Sequence, residues 1–369
     1  MILTAENLLD YLLERQLITL GAVVDGDYRV EIRESRHTTF QIRRRDAPGL
    51  FLKQPHRWDA ETLATVHREA LCYRLATESV AFAPLAPLLP ACLGFDPEHC
   101  VLALELVGRG ENLGIFHQRQ SQAGERFPPW IGHELGRRLG QYHRHFRLPP
   151  GASTAMPERN VPLPDQPPWI LQAHRMATGR RTAPQVLELI ARDPQVTAAL
   201  EDHHRTWQVE TLIHGDLKLQ NCVLKTGPGG EPAGLKIVDW ELAALGEASW
   251  DVGSVLQSYL VLWVLSMPWE SSEGELTGEE RMRRAEVPLD GMRPLFQAFW
   301  RGYGEHASSG PEWLRKSLMA TGARLLQTAF EYGAANRELH PNVVLLVQLA
   351  SNILSQPLHA AEVLLGLEP

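Results

Sequence analysis

The chain is poor in cysteine, with Cys72, Cys92, Cys100 and Cys222 scattered over 369 residues and no CxxC pair. That spacing excludes a disulfide scaffold or zinc ribbon and predicts four reduced, packed thiols. Histidine supplies no zinc spacing either. His143 and His145 stand two apart, so a helix would turn them to different faces, and His203 and His204 are adjacent. No internal repeat is visible, and no apolar run reaches membrane-spanning length, Tyr259 to Met267 being the longest suggestive one. The opening MILTAENLLDYLLERQ is acidic and amphipathic and lacks the basic start of a signal peptide. A soluble, cytoplasmic protein without membrane partners is the expectation. Positive charge is in deficit as well: the net charge of −8 argues against broad nucleic-acid binding. It is compatible with a cationic partner, although net charge alone locates no patch.

Against these absences stands one dense segment, His214 to Asn221, reading HGDLKLQN, followed by Asp239 at the end of the apolar run LKIVDW. Leu212 and Ile213 precede the segment, and Cys222 to Leu224, a Gly/Pro turn and Leu235 to Val238 follow it. The pattern predicts a loop, a strand, a hairpin turn and a second strand that brings Asp239 back to the loop. Phosphoryl transfer needs such a set. The protein's task is to align a hydroxyl with the γ-phosphate of ATP and to neutralise spreading charge. Asp216 is the candidate to accept the hydroxyl's proton, and Lys218 the candidate cation for the transferring phosphate. Asn221 and Asp239 offer the hard oxygen ligands that Mg²⁺ prefers. The bland reading, an Asx-turn loop with structural Asp and Asn, explains neither the spacing nor the following strands.

HGDLKLQN together with DWELAALGEASWDVGS resembles the aminoglycoside phosphotransferase and choline kinase-like family, relatives of the protein kinases. The resemblance rests on His214, Asp216, Asn221, Asp239-Trp240-Glu241, Gly246 and Asp251. It implies an α+β, two-lobed protein kinase-like fold, with a small β-rich N-terminal lobe and a large, mainly helical C-terminal lobe. It also implies ATP and Mg²⁺ as cofactors, and a structural role for Asp251 as a brace of the catalytic loop. Lysine at 218 departs from many members and looks like the HRDLK loop of protein kinases, which weakly favours a Ser or Thr hydroxyl.

The resemblance then assigns the rest of the chain. Lys53, after the apolar Leu50-Phe51-Leu52, is expected at the α/β-phosphates, with Glu69 as its partner on a helix whose stripe is Leu63, Val66, Ala70, Tyr73 and Leu75. Between Tyr28 and Ile42 a hairpin is expected, yet it contains no glycine, so Ser35, Arg36, His37 and Thr38 are the candidates to meet the phosphates. In CVLALELVGRGENL the backbone of Glu105 and Val107 is expected to read adenine. A chain of this length fits two lobes, placed at 1–108 and 109–369. Ile131, Leu135, Leu139, Tyr142 and Phe146 predict a long helix with one core face, and the sequence after Asp251 reads as helical to the end. The Pro-rich run 148–169 and the charged run 266–292 read as loops, either inserts or covers for the acceptor.

The expected activity is transfer of the γ-phosphate to an alcohol, most simply a small molecule of the aminoglycoside or amino alcohol type. Two alternatives stay open: a Ser/Thr kinase of ribosomally made precursor peptides, acting before phosphate elimination, and a nucleotide-binding pseudokinase.

Overall fold

The computed structural model describes residues 1–107, 110–149, 163–177, 185–227, 232–271, 274–334 and 339–368. Helices α1 (Leu8–Glu14) and α2 (Leu20–Val24) precede strands β1 (Tyr28–Glu34), β2 (His37–Arg44) and β3 (Leu50–Pro55). Helix α3 (Ala60–Glu78) follows, then β4 (Cys92–Asp96), β5 (Val101–Glu105) and the two-residue β6 (Glu111–Asn112). Helices α4 (Leu113–Gln122), α5 (Pro129–His145), α6 (Ala173–Ala177), α7 (Gln185–Arg192) and α8 (Pro194–Thr206) lead to β7 (Thr211–Ile213). Next come β8 (Cys222–Thr226), β9 (Pro232–Ile237), β10 (Ala244–Gly246) and helix α9 (Ala248–Leu265). A small ribbon, β11 (Glu270–Ser271) with β12 (Gly274–Glu275), and helix α10 (Gly278–Arg283) follow. The chain continues through α11 (Leu289–Gly304), α12 (Pro311–Ala334), α13 (Pro341–Ser355) and α14 (Pro357–Ala360). The β-rich N-terminal part and the helical C-terminal part are those of a two-lobed, kinase-like fold. Two compact units emerge from the contacts. One comprises residues 1–112 and 221–243, the other 113–220 and 244–369. The expected single cut at 108 falls on a residue outside the described set, and the β8–β9 hairpin belongs with the first unit.

In the first unit five antiparallel strands run in the order β1-β2-β3-β5-β4. Their register explains both faces. Phe40 lies opposite Leu52, Ile42 opposite Leu50 and Leu52 opposite Ala103, so one face is apolar and packs against Leu8, Tyr11 and Leu12 of α1. Each such buried aliphatic or aromatic side chain contributes roughly 1.5–3 kcal/mol. Lys53, one residue beyond Leu52, points to the other face, where α3 packs. Asp59 caps α3 by accepting from Thr62 N at 2.8 Å. The helical stripe read from the sequence needs rotating: Leu63 and Leu75 are only half-buried, and the buried face carries Thr62, Thr65, Val66, Glu69, Ala70 and Tyr73. A salt-bridged Glu on the inner face draws the helix round, which apolar spacing alone cannot report.

The first unit also holds the β6-β8-β9 sheet, in which Cys222 pairs with Ile237 and Val238 N donates to Asn221 O at 2.9 Å. Asn221 and Asp239 therefore stand at the same end of one hairpin, as its strand pattern predicts. The tip of that hairpin, 228–231, lies outside the described residues, as do 150–162 of the Pro-rich run and 272–273 of the charged run.

In the second unit the helix predicted around residues 131–146 is α5, and all five of its stripe residues are buried. It lies close against α11 because Gly132, Gly136 and Gly140 form a groove one turn apart. A Cβ on Gly136 would come within 2.1 Å of Phe299 O, and one on Gly132 within 2.3 Å of Leu295 O. β7 pairs with β10, Leu212 opposite Leu245, and this short ladder delivers the chain to residue 214. No single helix among the described residues is long and apolar enough to cross a membrane.

Candidate active site

Two groups of charged side chains are built, one in each unit. In the first unit the ammonium of Lys53 meets three carboxylates: Glu69 Oε2 at 2.7 Å, Asp239 Oδ1 at 2.6 Å and Glu241 Oε2 at 2.6 Å. Burial alone would depress the Lys53 ammonium, but the charges of Glu69, Asp239 and Glu241 overcome it and hold it well above its usual range. Burial pushes the Glu69 carboxyl up to about 7, against the pull of Lys53. Burial opposes ionisation of Glu241 as well, yet there the hydrogen bond from His37 and the charge of Lys53 win and hold it below the usual carboxylate range. His37 Nε2 is 2.7 Å from Glu241 Oε2, and Arg68 donates to Glu241 O at 3.0 Å.

Asp239 has φ 69°, in the left-handed region that costs a non-glycine residue about 1–2 kcal/mol. The turn into the short 3₁₀ segment Trp240–Leu242 demands it, and Trp240, fully buried, anchors that segment by donating to Ile237 O at 3.1 Å. Strain of this kind clusters at functional sites. The three carboxylate oxygens lie within 4.8 Å of one another, and their charge exceeds that of the one ammonium they share. Hard oxygens with excess negative charge fit a Mg²⁺ ion.

In the second unit the loop after β7 is braced by Asp251, which is completely buried on α9. Its carboxylate accepts from His214 N at 2.7 Å and Gly215 N at 3.0 Å, and also from the Tyr142 hydroxyl. Burial raises the Asp251 pKa, but the hydrogen bond from His143 leads the effects that outweigh this and keep the group below its usual range. Trp250 Nε1 donates to Gly215 O at 3.1 Å, and Gly215 itself has φ 82°, so the loop's turn uses a glycine where one is required.

This brace presents Asp216. Lys218 Nζ donates to its Oδ2 at 2.6 Å and Arg324 Nη2 to its Oδ1 at 2.5 Å. Burial would raise the pKa of Asp216, yet the charges of Arg324 and Lys218 more than compensate and lower it. Arg324, whose side chain is 3% exposed, also lies 5.6 Å from the Trp250 ring centroid.

The remaining candidates sit in the first unit. Ser35 is exposed at the β1–β2 turn, where its amide and hydroxyl both donate to His37 O. Arg36 lies 3.7 Å from Glu241, Thr38 reaches His56, and His37 is buried. The Glu105 amide donates to Ala91 O at 2.8 Å, which leaves its carbonyl as the group with capacity to accept, and Val107 adjoins residues outside the described set. Three roles escaped the sequence reading: Arg324 as a partner of Asp216, Glu241 as a partner of Lys53, and His37 as a partner of Glu241. Glu241 sat within a recognised motif. A lone arginine in the apolar run ARLLQTAF was the only signal for Arg324.

The fold, the lysine ringed by carboxylates and the braced aspartate define a kinase-like phosphotransferase. A family model described as phosphotransferase enzyme family, APH, matches residues 30–295, and the chain belongs to that family. Solved structures agree in fold. A choline/ethanolamine kinase family protein from Mesorhizobium loti is 14% identical, with TM-score 0.52 over 93% of this chain and 94% of that one. Choline kinase from Cryptosporidium parvum Iowa II is 11% identical, with TM-score 0.54 over 97% and 96%. Amicoumacin kinase hAmiN, solved with AMP-PNP, Ca²⁺ and Ami, is 11% identical, with TM-score 0.55 over 96% of each chain. No curated protein sequence matches the chain.

Proposed function

We propose that this phosphotransferase moves the γ-phosphate of ATP to the hydroxyl of a small molecule of the amino alcohol or aminoglycoside type. The observation that carries the reading is Asp216, a carboxylate kept ionised by Arg324 and Lys218 on a loop pinned by Asp251. Such a group accepts a hydrogen bond from an alcohol, orients its oxygen, and takes the proton late in the transfer. Lys53, held by Glu69, is the cation for the α/β-phosphates. Ser35 covers them from the β1–β2 turn, and the backbone of Glu105, through its carbonyl, and of Val107 meets adenine. Asp239 and Asn221, joined by Glu241, are the oxygen donors for Mg²⁺, which when bound neutralises phosphate charge. A cytoplasmic location belongs to this proposal, because it supplies ATP. The names of the structures similar in fold, choline kinase and amicoumacin kinase, support a small acceptor.

Lys218 favours a second reading. Its ammonium touches the aspartate two residues before it, the arrangement expected of a kinase acting on Ser or Thr side chains of a peptide. Mass spectrometry of Mg²⁺-ATP reactions with hydroxylated small molecules in one pool and Ser/Thr peptides in another decides between them. Phosphate gained by the small-molecule pool and absent with Asp216→Asn supports the proposal. Gain confined to peptides establishes the second reading, and nucleotide binding without transfer to either pool turns the search toward an untested acceptor or the pseudokinase reading.

A further inference from the structure

We infer that the second unit carries another binding site, for a small phosphate-bearing anion, and that its occupancy reaches the loop bearing Asp216. A cavity of about 620 Å³ opens beside the C-terminal end of α5, and Asp216, Lys218 and Arg324 take no part in its lining. That volume suits a small organic ligand.

Cations outnumber carboxylates on its wall. Arg144 and Arg147 from the end of α5 and Lys316 from α12 all line it, and none of the three makes an ion pair among the described residues. The two carboxylates on the wall are already engaged. Glu210 accepts from Ala248 N at 3.0 Å, and Glu312 takes two donors of Arg315 at 3.0 and 2.8 Å. The wall thus offers two guanidinium forks and an ammonium against one carboxylate, Glu210, that no cation pairs among the described residues, and this excess of donors is what phosphate oxygens satisfy. The first turn of α12, a 24-residue helix, contributes Glu312 and Trp313, with Lys316 in the next turn, so the positive end of the helix adds to the same field. Trp313 stacks on Tyr303, centroids 5.9 Å apart and 8° between planes, and its indole N–H is buried without a partner. That donor is a further observation pointing to a missing acceptor.

The wall connects to the catalytic loop in two steps. Asp251 can only accept, so His143 Nε2, 3.4 Å from its carboxylate, carries the proton, and His143 Nδ1 accepts from the Tyr303 hydroxyl at 3.1 Å. Asp251 in turn holds the amides of His214 and Gly215. A ligand pressing on Tyr303 and His143 acts on the brace of Asp216 without touching it.

Calorimetric titration with inorganic pyrophosphate in metal-free buffer tests the site, using wild type, Lys53→Met and Arg144→Gln/Arg147→Gln. Lys53→Met removes the ammonium at the centre of the first-unit group, so anion binding that survives in it undiminished lies elsewhere. The expected result is equal affinity in wild type and Lys53→Met, and at least a tenfold loss in the double variant, whose two positions are exposed and whose melting should not move. If the double variant fails to fold, Lys316→Gln on a different helix should weaken binding severalfold. No binding to Lys53→Met, or undiminished binding to the cavity variants, would overturn the site. Hydrogen exchange of the His214 and Gly215 amides in Lys53→Met should slow with pyrophosphate, and unchanged exchange despite binding would overturn the link to the loop.

Discussion

At Asp216 two opposing effects meet, and the cations win. Burial disfavours the carboxylate, while Arg324 and Lys218 favour it more strongly. Because the pKa is depressed, the ionised base persists to lower pH than a free carboxylate would. Arg324→Gln removes the larger counter-charge, so the pKa rises and, as pH falls, activity is lost at a higher pH than in wild type. A pH–rate profile of kcat checks this, and an unmoved acid limb would show that Arg324 does not set the protonation of Asp216. At Asp239 strain and function are separable. Asp239→Gly relieves a left-handed residue worth about 1–2 kcal/mol and removes one carboxylate from a crowded group, so thermal melting should be no lower while Mg²⁺-dependent transfer is lost. Asp216, Asn221, Asp239 and Asp251 were legible because they stand in one spaced motif. Arg324 was not, because it lies 108 residues beyond Asp216 and only packing brings the two together.

Among the elements, α5 and α11 show what fixes the scaffold beneath the loop. Gly136→Ala puts a methyl against a backbone carbonyl that no rotamer change can move aside, and overpacking of this kind costs on the order of 3 kcal/mol. Gly278→Ala, at a position with nothing within 4 Å, should change stability by less than about 1 kcal/mol. Urea unfolding of the two variants measures the contrast. The loop's tie to α9 is equally local. Asp251→Asn replaces one acceptor oxygen with a donor facing backbone N–H groups, and should cost about 1–3 kcal/mol in the same assay and lower kcat as the loop loosens. The apolar spacing of α5 announced its buried face correctly, since that face is apolar or glycine except at His143. It misplaced the edge of the α3 face, where Glu69 is buried for its charge and Thr62 and Thr65 are buried beside it.

For the whole molecule, the sequence order and the compact units differ. Chain position suggested a cut after residue 108, whereas the hairpin at 221–243 folds with the N-terminal sheet. There β8 pairs with β6, and Lys53 joins Asp239 and Glu241, separated from it by 186 and 188 residues along the chain. The motif named both acidic residues, but only the fold reveals that one ammonium serves both. Each unit thereby holds a distinct part of the proposed chemistry, the candidate metal and phosphate ligands in the first and the candidate base in the second. The central claim is that Asp216 acts on the acceptor hydroxyl and not on the nucleotide. The most direct measurement compares wild type with Asp216→Asn for Mg²⁺-ATP-dependent phosphate transfer and, in parallel, for nucleotide affinity. The account predicts a fall in kcat of roughly 10²–10⁴ with nucleotide affinity nearly unchanged. Turnover retained in the variant would contradict it.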